Sequence, residues 1–588
     1  MCGLELCLVH RLTTCVRPEG NGSQNARCSK TNEPPINAEM NHSDTPKARY
    51  SPPERERTLT ALRASGVDVL IVGAGINGAV TSAALASAGA SVAVLDRGDI
   101  AGGVSSHSSN LAWGGIKYLE SGELRLVRKL CLSRNRLMDA YPSTVREIRF
   151  FTSIRRGFRF WAVFVWLGAL LYWLMGNCRM QVPRYLTRSQ IEREAPEIAA
   201  DEVVGGLEYS DCYLYDNDSR FVFNFIRQAI DSSALVANYV AVERLTWNES
   251  AARWQVQCRD RVSNEAFLLE VKALVNCAGP DADLLNESSG IVTDHHHVLS
   301  KGIHLIVDRV TELRKVLTFF ASDGRLFFVI PMGPKTCIGT TDTPVRNAGV
   351  SVTSEDRDFV LANANAMLNL EKPLTTDDII AERVGVRPLA IAGVQQTQDW
   401  VQLSRKHEIE VDRERFYVSV FGGKLTDCLN VGDEMVMRLE ALGIPMKASR
   451  PVWFGEPGET ERQAFMLHAA QAELDRLTAA HVSEPLSRRF WRRYGRAAFA
   501  LVDAIKADPR EAELVLTEAE YTRAELRLIA EREMIVELGD FMRRRSKIEQ
   551  VIRRSTLIAD PGLREVAEIL FEDRAGALLD SYINEGVR

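Results

Sequence analysis

The chain has 588 residues, 46% of them hydrophobic, and a formal net charge of −6. That length and apolar share can bury cores for roughly two or three domains. The mild acidity removes the global basic field a nucleic-acid partner needs, so any anion must be held locally. The eleven cysteines show neither CxxC nor Cys/His spacing. This argues against a metal site and a disulfide framework, and fits reduced thiols of a cytosolic enzyme.

In "MCGLELCLVHRLTTCV", His10 and Arg11 interrupt any signal-peptide core. The polar, Pro- and Asn-rich stretch that follows includes Met40 as an alternative start. Residues 1–65 are expected to be a disordered tail.

The folded part opens with "VDVLIVGAGINGAVTSAALASAGASVAVLD". An apolar strand at 67–72 runs into Gly73-x-Gly75-x-x-Gly78, then an alanine-rich helix stopping at Gly89, then a strand at 91–95. Asp96 lies 18 residues after Gly78, the spacing of a ribose-binding acid. Bare glycine backbone admits a pyrophosphate, and the free N–H groups of the helix start, around Asn77, face its charge. Arg97 adjoins the acid. This half-signature does not separate NAD from FAD.

The next stretch, "SSHSSNLAWGGIKYLE" (105–120), separates them. A flavin ring is wide and flat, and a loop of small side chains and N–H donors suits it: Ser105, Ser106, Ser108, Ser109, Asn110, Leu111, Gly114 and Gly115. The plain alternative is a flexible linker, but the patterned helix "LRLVRKLCLSRNRLMDAYP" tethers the far end. Residues 160–176, "FWAVFVWLGALLYWLMG", carry no charge and are flanked by Arg155, Arg156, Arg159 and Arg179. As a helix this is about 26 Å long, short of a membrane span. A span would also place the nucleotide motif and "GGKLTD" on opposite sides of a bilayer. The competing readings are a core helix and a helix lying in the membrane interface; the aromatic and basic content favours the interface.

Residues 206–230 read as a strand, an Asp/Asn turn and an amphipathic helix. Alternating strands follow, including the one carrying Val240, and "LVNCAGP" arrives at Ala278 and Gly279. Strands dominate between about 300 and 420 and hold His304 ("KGIHLIV"), Arg387 ("GVRPL") and Arg405 ("LSRKHEIEV"). "FGGKLTD" supplies Gly423, Lys424, Leu425 and Thr426. Taken alone, each has a duller reading: a structural histidine, a salt-bridging arginine, a lysine starting a solvated helix. Charged helices take over near 450, giving a tail (1–65), an interleaved two-part region (66–450) and a helical C-terminal domain (451–588).

Together, "GAGINGA", the serine loop, "LVNCAGP", "GRLFFVIPMGPKTCIGTTDT", "GVRPL", "LSRKHEIEV" and "FGGKLTD" resemble the FAD-dependent glycerol-3-phosphate dehydrogenase family, in that family's order. "EYTRAELRLIAEREMIVELGDFMRRRS" is similar to its helical cap. The resemblance implies an α/β (α+β) fold: an FAD-binding Rossmann-type domain of the glucan/amino-acid-oxidase-like flavoprotein class, interleaved with a mixed β-sheet substrate domain, plus an all-helical C-terminal domain. It implies oxidation of sn-glycerol 3-phosphate to dihydroxyacetone phosphate by hydride transfer to flavin N5, with electrons passed to a membrane quinone. Lys117, Arg387 and Arg405 would hold the phosphate or substrate oxygens, with Tyr118 beside them. His304 would take the hydroxyl proton, and Lys424 would offset negative charge on reduced flavin or substrate oxygen. A peripheral enzyme on the cytoplasmic membrane is expected, compatible with a homodimer. The loop departs from the family pattern at Asn110 (lysine), Trp113 (histidine) and Lys117 (arginine). Those departures keep open another 2-hydroxy acid or amine as substrate, or a non-catalytic flavin-binding membrane-associated protein.

Overall fold

Helix α1 (Pro52–Ser65) leads into β1 (Val67–Val72), α2 (Ile76–Ser87) and β2 (Val92–Leu95). After the serine loop come β3 (Leu111–Ala112), α3 (Leu124–Ala140), β4 (Val145–Arg155), α4 (Ala162–Met175), β5 (Arg184–Leu186), α5 (Arg188–Glu194), β6 (Val203–Leu214) and α6 (Asp218–Asp231). β7 (Leu235–Ala237), β8 (Val240–Asn248), β9 (Arg253–Asp260), β10 (Ala266–Asn276) and α7 (Ala282–Ser288) follow. Then come β11 (His295–Asp308), β12 (Lys315–Phe320), β13 (Leu326–Met332), β14 (Lys335–Gly339), β15 (Thr343–Val345), α8 (Ser354–Met367), β16 (Ala381–Ala392), β17 (His407–Asp412), β18 (Tyr417–Gly422) and α9 (Cys428–Ala441). This is a computed structural model, and it describes residues 52–588 apart from 159, 322–323, 394–405, 449–451, 483 and 586–588.

Two sheets alternate along the chain. The first has eight strands, with β17-β18-β10-β1-β2-β7 in order, β9 on β10 and β8 on β9. β18, β10, β1, β2 and β7 run parallel. β1 (VDVLIV) and β2 (VAVL) lack a polar face because layers cover the sheet on both sides. On one side lie α2, α6 and α9; on the other lie α1 and the β8–β9 hairpin around Trp254. The second sheet has ten strands, ordered β15-β11-β14-β13-β12-β4-β6-β3, with β16 on β11 and β5 on β6. Strands β3 to β6 of the second sheet thus fall between β2 and β7 of the first, the interleaving expected of the fold. The C-terminal part is built of helices, from Glu459–Gln471 to Ala575–Asn584, around Phe465, Trp491, Phe541 and Phe571.

Two elements differ from the plainest sequence reading. The tail expected over 1–65 stops short of the first strand. Its last 14 residues are α1, whose Leu59 and Leu62 are buried and whose Arg55 pairs with Asp260 at 2.6 Å; residues 1–51 lie outside the described residues. The uncharged segment is helix α4, but it is not a core helix. Only Ala169 and Tyr172 are buried, while Trp161 is 79% exposed, Phe164 63%, Val163 59% and Leu174 56%. Among the described residues, no helix is long and apolar enough to cross a membrane.

Candidate active site

The first βαβ unit ends in a cavity of ≈ 930 Å³. Gly73 turns the chain at φ +101°, and a Cβ there would lie 2.5 Å from the Cys277 carbonyl oxygen. A Cβ on Gly78 would collide with the Gly73 carbonyl, so α2 packs against the turn only with glycine there. The Asp96 carboxylate accepts the Ala74 N–H at 2.7 Å and the Gly98 N–H at 2.9 Å. Burial pushes its pKa up to about 6 against these bonds. The Ser105 hydroxyl accepts the Ile76 N–H at 2.9 Å, bringing the serine loop to the start of α2.

Of the predicted cofactor residues, Gly73, Gly75, Asn77, Asp96, Arg97, Ser105, Ser108, Val240, Ala278, Gly279, Gly423 and Leu425 line this cavity. The others shape the loop behind it. The Ser106 hydroxyl donates to the Gly103 carbonyl at 3.0 Å. Asn110, buried at φ 55°, accepts the Asp218 N–H at 3.1 Å. Leu111 pairs with Tyr213, and Ser109, two positions before it, is half-buried. Gly114 donates to Asp211 at 3.0 Å, and Gly115 sits at φ +79°, where a Cβ would also lie 2.7 Å from the Tyr118 ring. The Thr426 hydroxyl donates to the Trp113 carbonyl at 3.2 Å.

At the C-terminal end of β18, Gly422 (φ +61°) and Gly423 (φ +98°) turn the chain toward Lys424. Asn77 donates to the Gly422 carbonyl at 3.0 Å, and the Gly422 N–H donates to His297 Nε2 at 3.0 Å. The Lys424 Nζ lies 4.0 Å from the Tyr118 ring centroid and 5.9 Å from that of Trp113. Lys424, Tyr118 and Trp113 therefore cluster, with Lys117 in the short helix Ile116–Leu119 beside them. Arg405 lies outside the described residues. His407, two positions on, sits between Asp427 (2.8 Å) and Glu434 (3.2 Å). Burial would raise Asp427, but the His407 bond and the Lys129 charge hold it at about 2.

His304 and Arg387 come together on one sheet face. β11 and β16 pair antiparallel without a break, matching His304 with Arg383, Gly302 with Gly385, and Ser300 with Arg387. A Cβ on Gly302 would collide with the Arg387 guanidinium lying across it. Arg387 donates to the Thr340 hydroxyl at 2.9 Å and the Thr341 carbonyl at 3.2 Å. Gly385 and His107 line the cavity, so this face adjoins it. His304 is 2% exposed, and neither ring nitrogen hydrogen-bonds a described residue. Burial first, then Arg383, Arg387 and His107, holds its pKa well below the ordinary value. The ring is therefore a neutral imidazole with a lone pair to offer.

Sequence reasoning missed Arg383, Asp218 and Arg544. Arg383 stands four residues before Arg387 in "AERVGVR", so a period of two already places both on one face. Asp218 pairs with it at 2.9 Å. Arg544 reaches the cavity from the C-terminal part and pairs with Asp99, a contact across 445 residues that no local pattern reports.

Residues 68–410 match the model of the FAD dependent oxidoreductase family. The chain belongs to this family. Residues 458–573 match the C-terminal domain of alpha-glycerophosphate oxidase. The cofactor is FAD, and the cleft fits it: glycines stand where a Cβ would block the turn, a half-buried carboxylate closes β2, and amides open α2. The chain is 29% identical to the aerobic glycerol-3-phosphate dehydrogenase of Bacillus subtilis, over 86% of this chain and 90% of that relative. It is also 29% identical to the glycerol-3-phosphate dehydrogenase of Pseudomonas tolaasii, over 75% and 84%. The solved glycerol-3-phosphate dehydrogenase of Bacillus halodurans, complexed with FAD, shares the fold with a TM-score of 0.67 at 22% identity, over 92% of this chain and 97% of that one.

Proposed function

We propose that this FAD-dependent oxidoreductase oxidises sn-glycerol 3-phosphate to dihydroxyacetone phosphate at a membrane surface and delivers the electrons to a quinone. The observation that carries the chemistry is His304: buried, neutral, and set beside Arg387 on a sheet face adjoining the FAD cavity. FAD, when bound, accepts the hydride from the alcohol carbon. A secondary alcohol also needs a base for its hydroxyl proton, and the His304 ring supplies one. Arg387 holds the anionic end of the substrate through its planar fork, with Lys117 as a point charge and Arg405 assigned the same task. Lys424, poised over Tyr118, supplies positive charge where negative charge develops. The relatives named as glycerol-3-phosphate dehydrogenases support this substrate.

The membrane assignment, and with it residence on the cytoplasmic membrane, rests on α4, whose exposed aromatic and aliphatic residues form a face suited to lipid. Quinone is the acceptor that such a location offers.

Anaerobic addition of glycerol 3-phosphate to the FAD-loaded protein should bleach the flavin absorbance, and a soluble quinone should restore it. Bleaching by a 2-hydroxy acid or amine instead would move the assignment to the second substrate class, which Trp113 and Lys117 favour. No bleaching by any of these compounds would leave a flavin-binding protein without this activity. Reoxidation by dioxygen but not by quinone would overturn the acceptor.

A further inference from the structure

The face shared by β11 and β16 carries a second cation, this one buried, that the assigned chemistry does not use. Arg383 is 3% exposed and stands directly opposite His304. One of its nitrogens, Nη2, donates to the Ser106 carbonyl at 2.6 Å and to Asp218 Oδ2 at 2.9 Å. That same Asp218 oxygen accepts the Ser108 N–H at 2.7 Å, and the Asp218 N–H donates to Asn110. One guanidinium–carboxylate pair therefore grips peptide units 106 and 108 of the serine loop from strand β16 and from the first turn of α6. Ser105, His107 and Ser108, on either side of those units, line the FAD cavity. The remaining Arg383 nitrogens, Nε and Nη1, are buried and hydrogen-bond no described residue, as is true of both ring nitrogens of His304.

We propose that Arg383, with Asp218 as its counter-ion, is a positioning residue that clamps the serine loop into its FAD-binding shape and sets the electrostatics of the facing His304 ring. The clamp follows from geometry. Charge-assisted bonds to a main-chain carbonyl and, through Asp218, to a main-chain N–H fix the loop's peptide planes, and those planes decide which loop donors reach the cavity. The second effect follows from position and rests on His304 being the base. The charged and titratable groups around that ring are Arg383 and Arg387 on β16, His107 in the serine loop and, behind Arg383, Asp218. From β14, Gly339 packs against the ring and Cys337 lies along the Arg383–Asp218 pair, burial pushing its thiol up to about 11. Tyr213 of β6 is pushed up by burial as well. Thiol and phenol are neutral at working pH, so the cations dominate and favour the uncharged imidazole.

The test uses the full-length holoenzyme and three variants: Arg383→Met, Arg383→Lys, and Arg383→Met combined with Asp218→Asn. The double variant removes both buried charges together and keeps the proposal testable if Asp218 left alone prevents folding. Two quantities are read: the FAD dissociation constant of deflavinated protein by fluorescence titration, and the pH profile of anaerobic flavin bleaching by the substrate. Arg383→Met should weaken FAD binding by roughly tenfold or more, the effect of losing a charge-assisted bond. Without the cation the His304 pKa rises, so the acid limb of the pH profile should move to higher pH. Arg383→Lys keeps the charge, but its side chain is one bond shorter and its ammonium stops short of the Nη2 position, so it should keep the limb in place while FAD binding stays weakened. Unchanged FAD affinity in the Met and double variants overturns the clamp. An unmoved acid limb in a Met variant that still turns over overturns the coupling to His304. If the unmodified protein bleaches with no substrate, the functional reading falls, but the FAD titration still judges the clamp.

Discussion

Replacing Trp161 and Phe164 together by alanine tests whether α4 meets lipid. Full burial of a large apolar side chain contributes about 1.5–3 kcal/mol. These rings are 79% and 63% exposed, and an interfacial helix sinks them only partway into the acyl boundary. A contribution of about 1 kcal/mol each is therefore reasonable. The double variant should lose about 2 kcal/mol of membrane affinity, roughly thirty-fold in partition coefficient. Co-sedimentation with large vesicles containing anionic lipid measures that coefficient. The same experiment in high salt should weaken the unmodified protein further, as the arginine flank, including the exposed Arg156, is screened. Thermal unfolding is the control, because truncating solvent-exposed rings changes folding stability by less than about 0.5 kcal/mol. An unchanged partition coefficient would refute the reasoning outright. A drop in thermal stability with unaltered vesicle binding would instead assign the rings to packing within the protein.

Further outcomes are expected at His304, at Asp96 and around Asp211. His304→Gln should slow anaerobic flavin bleaching by roughly 10²–10⁴-fold in stopped flow while FAD content stays unchanged; a fall of less than about threefold would remove His304 as the base. Asp96 is charged in the folded protein only above about pH 6, and a ribose hydroxyl donates better to a carboxylate than to a neutral carboxyl. FAD affinity should therefore decline as pH falls through about 6, and Asp96→Asn should flatten that dependence in an equilibrium titration. Arg134→Met should destabilise the protein by about 3–5 kcal/mol in denaturant melts, because it strands the fully buried Asp211. Tyr172→Phe should cost only about 1 kcal/mol, since Asp211 keeps Arg134 and the Gly114 N–H.

The dinucleotide cleft was legible because its demands are local. Gly73, Gly78 and Asp96 fall within one strand–helix–strand unit, and each answers a backbone requirement that a sequence displays directly. The sheet face was half legible. Spacing by two groups Arg383 with Arg387, but only the register with β11 puts His304 opposite Arg383 and two glycines between the cations. Register between strands some 80 residues apart depends on how the buried faces of both strands match and on the connections between them, which neither strand displays alone. Helix α1 was missed because its inward stripe is just Leu59 and Leu62, too thin to register against "PPERER".

Helix α4 shows most clearly what composition omits. Its sequence says apolar on every side, which elsewhere means a buried helix. Here Ala169 and the helix's one hydroxyl, Tyr172, are buried, Val165, Trp166, Trp173 and Met175 pack half-buried against the protein, and Tyr172 donates to Asp211 at 2.8 Å. Asp211 also accepts the N–H of Gly114, in the serine–glycine loop. The helix is thus anchored by this packing and by a polar bond, while Trp161, Val163, Phe164 and Leu174, side chains that water would reject, point away from the protein. A soluble surface helix also packs an apolar stripe inward, but it carries polar groups on its outward face. An apolar outward face costs nothing only where the surroundings are themselves apolar, and among the described residues no segment covers that face. This is the physical reason to look for a bilayer against α4 and not for a missing piece of core.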